Sequence, residues 1–170
     1  MLKQKVLLNQ ILIATKCSSM ELSSIKDLNN LSNKIQKIIL PGDVLFLYGE
    51  IGVGKTTFAR QLIHNFEVKY KIENSEVLSP TFNLLFEYEI KNFFIMHYDF
   101  YRLKNKIEIE NLGIFENLDK NIILVEWPEL IENKPNNRIE LFFEYSKNMN
   151  KRIINIKGQG KWKDYEFEKE

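Results

Sequence analysis

A single cysteine, Cys17, stands in the 170 residues, so no internal disulfide and no cysteine-based zinc cluster is available. Histidine is almost as scarce. His64 and His97 are the only two, too few for a histidine-rich metal site. An excess of one charge is also missing: 24 lysines and arginines stand against 23 aspartates and glutamates, a net charge of +1. That balance removes the bulk electrostatic case for a protein that captures polyanions on its own. No apolar run approaches the ~18 residues that mark a membrane span. What is present is ordinary globular material. Hydrophobic residues make up 44%, and a chain of this length buries about 70% of its unfolded surface without a covalent or metal staple. One domain is expected, with no internal repeat of about 20–50 residues.

The first residues faintly resemble a secretory leader. Lys3 and Lys5 precede the apolar stretches Val6-Leu7-Leu8 and Ile11-Leu12-Ile13-Ala14. Asn9-Gln10 interrupts the apolar core, and Lys16 sits where a small residue should precede a cleavage point. The segment reads better as a loose extension or an over-called start, with Met20 opening the first structured stretch, and the protein is expected in the cytoplasm.

Leu28, Leu31, Ile35 and Ile38 recur at helical spacing behind a Ser24/Asp27 capping box, and Pro41-Gly42 ends that helix. The apolar run Val44–Tyr48 reads as a buried parallel strand. Thr56 to about Phe66 is the next helix, and 67–79 a polar loop. Phe82–Ile90 and Phe93–Phe100, split by Lys91-Asn92, suggest an antiparallel hairpin. Residues 105–118 read as a helix, Asn121–Trp127 as a second buried strand, and Arg138–Tyr145 with Arg152–Lys157 as another antiparallel pair. Residues 159–170 alternate charge with aromatics and look like a frayed or docked tail. The expected architecture is an α/β sandwich of two or three layers with a mixed parallel and antiparallel sheet.

Between the first strand and the second helix lies Gly49-Glu50-Ile51-Gly52-Val53-Gly54-Lys55-Thr56, a complete G-x-x-x-x-G-K-[ST] in its strand–loop–helix context. Glycines let the loop turn its amides around the α- and β-phosphates, and the helix N-terminus adds further unpaired amides. Lys55 would reach the β/γ-phosphates and the Thr56 hydroxyl would ligate Mg²⁺. Thr57 would cap the helix or contact the α-phosphate.

A phosphate loop usually works with an acid at the end of a neighbouring apolar strand. Two strands qualify: 93–99 ends in Asp99, and 122–126 ends in Glu126. Asp99, the shorter acid, would serve Mg²⁺, while Glu126 would orient or deprotonate a water. Ser79-Pro80-Thr81 could present hydroxyls to the γ-phosphate or metal, or form a plain turn. Arg102 could clamp phosphate or make a surface ion pair. Trp127 could stack on a base or pack the core. His97 is read as packing the sheet.

Taken in order, Leu47-Tyr48 with the phosphate loop and Thr57-Phe58, Ser79-Pro80-Thr81-Phe82, His97-Tyr98-Asp99-Phe100-Tyr101-Arg102-Leu103, Leu112-Gly113-Ile114 and Leu124-Val125-Glu126-Trp127-Pro128 resemble the TsaE (YjeE) family. These are small bacterial P-loop ATPases of tRNA threonylcarbamoyladenosine (t6A) biosynthesis. The resemblance spans about residues 21–145. It implies a P-loop NTPase fold that binds ATP and Mg²⁺ and releases ADP. Two other proteins of the pathway are implied partners, with tRNA position 37 modified by them and tRNA contacted through them. The implied catalytic set is Lys55, Asp99 and Glu126, and Thr56, Asp99 and Glu126 are the implied metal-linked residues. Residues Glu50, Ile51, Gly52, Val53, Gly54, Lys55, Thr56, Thr57 and Trp127 are the implied nucleotide contacts. Residues 1–19 are then an extension, 20–158 the ATPase domain and 159–170 a tail. Three alternatives stand beside this. A small P-loop kinase would want more arginine than Arg60, Arg102, Arg138 and Arg152 supply. A GTPase would need more than Asn105-Lys106-Ile107-Glu108 offers. A nucleotide-dependent assembly factor would hydrolyse only incidentally.

Overall fold

A computed structural model describes residues 18–147 and 149–167. The expectations for residues 1–17, including the leader-like pattern and Cys17, and those for 168–170 lie outside the described residues. The chain runs β1 (Ser18–Leu22), α1 (Ile25–Ile38), β2 (Val44–Tyr48), α2 (Lys55–Tyr70), β3 (Leu85–Ile90), β4 (Phe93–Asp99), α3 (Lys106–Asn111), β5 (Asn121–Glu126), β6 (Arg138–Tyr145) and β7 (Arg152–Gln159). All seven strands form one sheet in the order β1-β7-β6-β2-β5-β4-β3. The centre, β6-β2-β5-β4, is parallel, and both margins are antiparallel. The fold is thus the mixed-sheet α/β arrangement expected.

Alternation along the strands builds a core on each face. Leu45, Leu47, Ile122, Leu124, Ile139 and Leu141 face α1 and α2, whose Leu31, Ile35, Phe58, Leu62 and Phe66 bury against them. Val44, Phe46, Ile123 and Val125 face the other way, toward Ile109 of α3, Ile114 and Ile131. One face therefore carries the two long helices and the other a short helix with loops. The capping box on α1 is present: the Asp27 amide donates to Ser24 Oγ at 3.2 Å, and the Ser24 amide to the Asp27 carboxylate at 3.0 Å.

Several elements differ from the sequence expectation. β1 has none, and its Ser18 and Ser19 belong to the sheet, paired with Ile156 and Asn155 of β7. α2 runs to Tyr70 rather than Phe66, because Glu67 is buried on the core side and accepts the Ser75 amide at 3.0 Å. The helix at 106 stops at Asn111 instead of 118, since Gly113 turns at φ 58°. Ile114 and Phe115 reach the same core by turns. β3 begins at Leu85, not Phe82: Leu84 adopts φ 65° and its amide donates to Pro80 O at 2.7 Å, closing a turn over Pro80–Leu84. The stretch after β7 is docked. Trp162 and Phe167 are buried in the main core, and the Trp162 indole N–H donates to Asp43 Oδ1 at 3.0 Å. No helix among the described residues is long and apolar enough to cross a membrane.

Candidate nucleotide-binding site

The parallel strands β2, β5 and β4 end side by side. Register sets Leu47 beside Glu126, and Glu126 beside Asp99. Both acids share the sheet face of α2, so the first turn of that helix lies over them. Parallel strands whose carboxyl ends converge on a helix N-terminus make the crevice in which open α/β sheets bind ligands.

The loop between β2 and α2 is shaped by its glycines. Gly49 leaves the strand at φ 137°, where a Cβ would stand 2.5 Å from the Phe143 carbonyl oxygen of β6. Gly54 caps α2 at φ 118°. Both positions need a residue without a Cβ, one for space and both for backbone conformation. The Lys55 side chain curls back into the loop, donating to Gly49 O at 2.7 Å and Glu50 O at 2.9 Å, with its ammonium 4.1 Å from the centre of the Trp127 ring. Burial pulls the Lys55 pKa below the ordinary lysine value, and the carboxylates of Glu126, Asp99 and Glu129 recover only part of that loss.

Each acid is held by hydroxyls. Glu126 accepts the Thr56 hydroxyl on Oε2 at 3.0 Å and the His97 Nε2–H on Oε1 at 2.9 Å. Asp99 Oδ2 accepts the Thr81 hydroxyl at 2.6 Å and the Ser79 hydroxyl at 3.2 Å, while Oδ1 accepts the Tyr101 amide at 2.9 Å. The turn at Pro80–Leu84 is what brings Ser79 and Thr81 to Asp99. Trp127 leaves β5 in the left-handed region at φ 57°, with its amide held by Leu47 O at 3.2 Å. That bend lays its ring over Lys55 and against Tyr101, with centroids 5.0 Å apart.

These groups line one cleft of about 240 Å³, formed by Ile51, Gly52, Gly54, Lys55, Thr56, Thr57, Ser79, Thr81, Asp99, Tyr101, Glu126 and Trp127. The structure therefore gathers Lys55, Thr56, Thr57, Asp99, Glu126 and Trp127 in one place. Val53 does not face the cleft; its side chain is buried in the core. Glu50 contributes its carbonyl to Lys55 and leaves its side chain exposed. Arg102 turns away to stack on the exposed Phe82 ring, at 4.9 Å. Asn105 of the Asn-Lys-x-Glu stretch is a helix cap, its side chain accepting the Ile107 amide at 3.0 Å. His97, read from sequence as packing the sheet, is buried but also bonds Glu126, and Tyr101 carried no reading of its own. The signal for His97 was available, since it lies two residues before Asp99 and strand alternation puts both on one face.

Among the described residues no group of three or more His, Cys, Asp and Glu could hold a metal ion. Two carboxylates and a hydroxyl instead suit Mg²⁺, which keeps waters and takes phosphate oxygens as ligands rather than an all-protein cage.

The family model for threonylcarbamoyl adenosine biosynthesis protein TsaE matches residues 22–154. The tRNA threonylcarbamoyladenosine biosynthesis protein TsaE of Rickettsia typhi is 43% identical over 111 residues, covering 65% of this chain and 74% of that protein. The protein of the same name from Bacillus subtilis is 38% identical over 103 residues, covering 59% of this chain and 61% of that one. The crystal structure of Bacillus subtilis YdiB superposes with a TM-score of 0.69 over 88% of this chain and 90% of that one, at 24% identity. The likeness to that structure is one of fold.

Proposed function

This chain belongs to the TsaE family, and on that premise we propose that it binds ATP with Mg²⁺ and hydrolyses it in support of t6A formation on tRNA. The observation that carries the reading is the convergence of Lys55, Thr56, Asp99 and Glu126 on one cleft at the carboxyl ends of β2, β4 and β5.

In this mechanism the loop amides and Lys55 hold the phosphates, and Lys55 exchanges the carbonyls of Gly49 and Glu50 for phosphate oxygens. Thr56 and Asp99 are the residues that would hold Mg²⁺, which supplies charge neutralisation on the phosphates when bound. Ser79 and Thr81 keep the Asp99 carboxylate oriented. Glu126, nine-tenths and more buried beside Thr56, orients a water and accepts its proton. Trp127 and Tyr101 shield the cleft beside Lys55 from solvent.

Among the described residues no arginine lines the cleft. Arg60 donates to Val77 O, Arg102 and Arg152 stack on Phe82 and Tyr145, and Arg138 pairs with Glu140. A kinase lid has no candidate among them, which supports hydrolysis over phosphoryl transfer. The proposed setting is the cytoplasm, with two proteins of the t6A pathway as partners that contact tRNA. A near-neutral surface suits that division of labour.

The test is Mg²⁺-dependent ATP hydrolysis by the purified protein, alone and with the partner proteins. Glu126→Gln should retain nucleotide affinity and lose about 10²–10⁴-fold in turnover. Normal turnover in that variant, or stoichiometric phosphate transfer to a small molecule, overturns the reading. Loss of t6A on gene deletion, restored by wild type but not by Lys55→Ala, ties the site to the pathway.

A further inference from the structure

We propose that His97 is a positioning residue, which grips one oxygen of the Glu126 carboxylate so that the other faces the cleft. The inference rests on Glu126 being the acid that orients water.

His97 is fully buried and Glu126 nearly so, with the ring Nε2 2.9 Å from Oε1. An ionised carboxylate only accepts, so Nε2 carries the proton and donates. The other ring nitrogen, Nδ1, is buried without a hydrogen-bond partner among the described residues. An interior imidazole with one unpaired nitrogen carries a desolvation cost that an apolar side chain of similar volume would avoid. Its remaining aromatic neighbour, Tyr88 with centroids 6.5 Å apart, offers packing that an apolar side chain would give equally well. The polar return for burying this ring is therefore the bond to Glu126.

That bond becomes decisive because the second hold on Glu126 is borrowed. Oε2 is held by Thr56, whose hydroxyl the proposed function assigns to the metal. Once Thr56 turns away, His97 is the side chain left fixing the rotation of the carboxylate, and Oε2 is free to accept a hydrogen from water. β4 and β5 make the arrangement rigid: His97 pairs with Leu124 two residues below the Asp99–Glu126 pair, on the same face. The carboxylate is thus clamped from beneath by the neighbouring strand and approached from above by α2. A loss of aim by about 1 Å in such a group costs on the order of 10²-fold in rate.

The experiment compares His97→Met, which fills the space without a donor, with His97→Gln, whose amide can donate from nearly the same place. Single-turnover hydrolysis, affinity for a non-hydrolysable ATP analogue and thermal melting are measured for both, alone and combined with Glu126→Gln. The expected result is a fall of about 10- to 100-fold in turnover for His97→Met, with analogue affinity within about twofold of wild type. His97→Gln should recover most of that loss. In the Glu126→Gln background, His97→Met should cost less than about twofold more, because its effect acts through the carboxylate. If His97→Met lowers the melting temperature too far for assay, His97→Asn, whose buried amide is too short to reach Oε1, takes its place and should show the same fall in turnover. Full turnover in a folded His97→Met, or weakened analogue binding parallel to lost turnover in both variants, overturns the inference while leaving Glu126 in its role. Normal turnover in Glu126→Gln overturns both together.

Discussion

Replacing Lys55 by methionine separates the phosphate role of this residue from any structural one. Its ammonium makes two hydrogen bonds to loop carbonyls and sits over the Trp127 ring. The lowered Lys55 pKa means that burial costs the ammonium more than the nearby charges return, so the charge adds no net stability and Lys55→Met should change stability without nucleotide by less than about 1 kcal/mol. The sign follows from burial lowering the folded pKa. The unfolded chain holds the proton more tightly, so the penalty is fully present below the lowered folded value. It fades only as pH rises from the lowered value toward that of an ordinary lysine. Nucleotide changes the balance. Wild type at a hundredfold excess over its dissociation constant gains about 2.7 kcal/mol, a rise of about 5–11 °C in a domain of this size. Losing about 3 kcal/mol of phosphate contact brings the ligand below its new dissociation constant and the shift under about 1 °C. Differential scanning fluorimetry with and without Mg-ATP measures both quantities. A wild-type-sized shift in Lys55→Met removes the residue from the phosphate site. A loss of more than about 3 kcal/mol without nucleotide makes its role structural.

Asp99→Asn should raise the Mg²⁺ concentration for half-maximal turnover about tenfold, with metal-free nucleotide binding unchanged, measured by titration of each. Gly49→Ala drives a Cβ into the Phe143 carbonyl and should cost more than about 2 kcal/mol in urea unfolding, because the obstacle is backbone. Trp162→Phe keeps most of the buried ring but removes the N–H that Asp43 accepts. It should cost about 1.5–3 kcal/mol, with ATP turnover at permissive temperature unaffected.

The long, strongly patterned parts of the fold were legible in the sequence because local chemistry and tertiary demand agree there. The capping box of α1, the apolar runs of β2 and β5 and the phosphate loop each carry their own signal. β1 carries almost none. It is a five-residue margin strand with only Met20 and Leu22 turned inward, and its pairing with β7 supplies the structure. α3 was over-read because Phe115 and Leu118 keep helical spacing after Gly113 has already turned the chain. In the site, residue types and strand ends located Asp99 and Glu126. Alternation along β4 put His97 on the face of Asp99, but its bond to Glu126 depends on the register with β5, and those of Ser79 and Thr81 on a positive-φ turn at Leu84 that no spacing rule encodes.

The central position of β2 also sets an order of events during synthesis. The phosphate loop is encoded within the first third of the chain, but its strand sits between β5 and β6, whose residues lie 121–126 and 138–145. Gly49 is packed directly against β6. A ribosome therefore releases the complete loop sequence long before the flanks that shape it exist, and pairings this remote in sequence form slowly. The shape of the loop, which depends on the Phe143 carbonyl beside Gly49, waits on the last third of the chain.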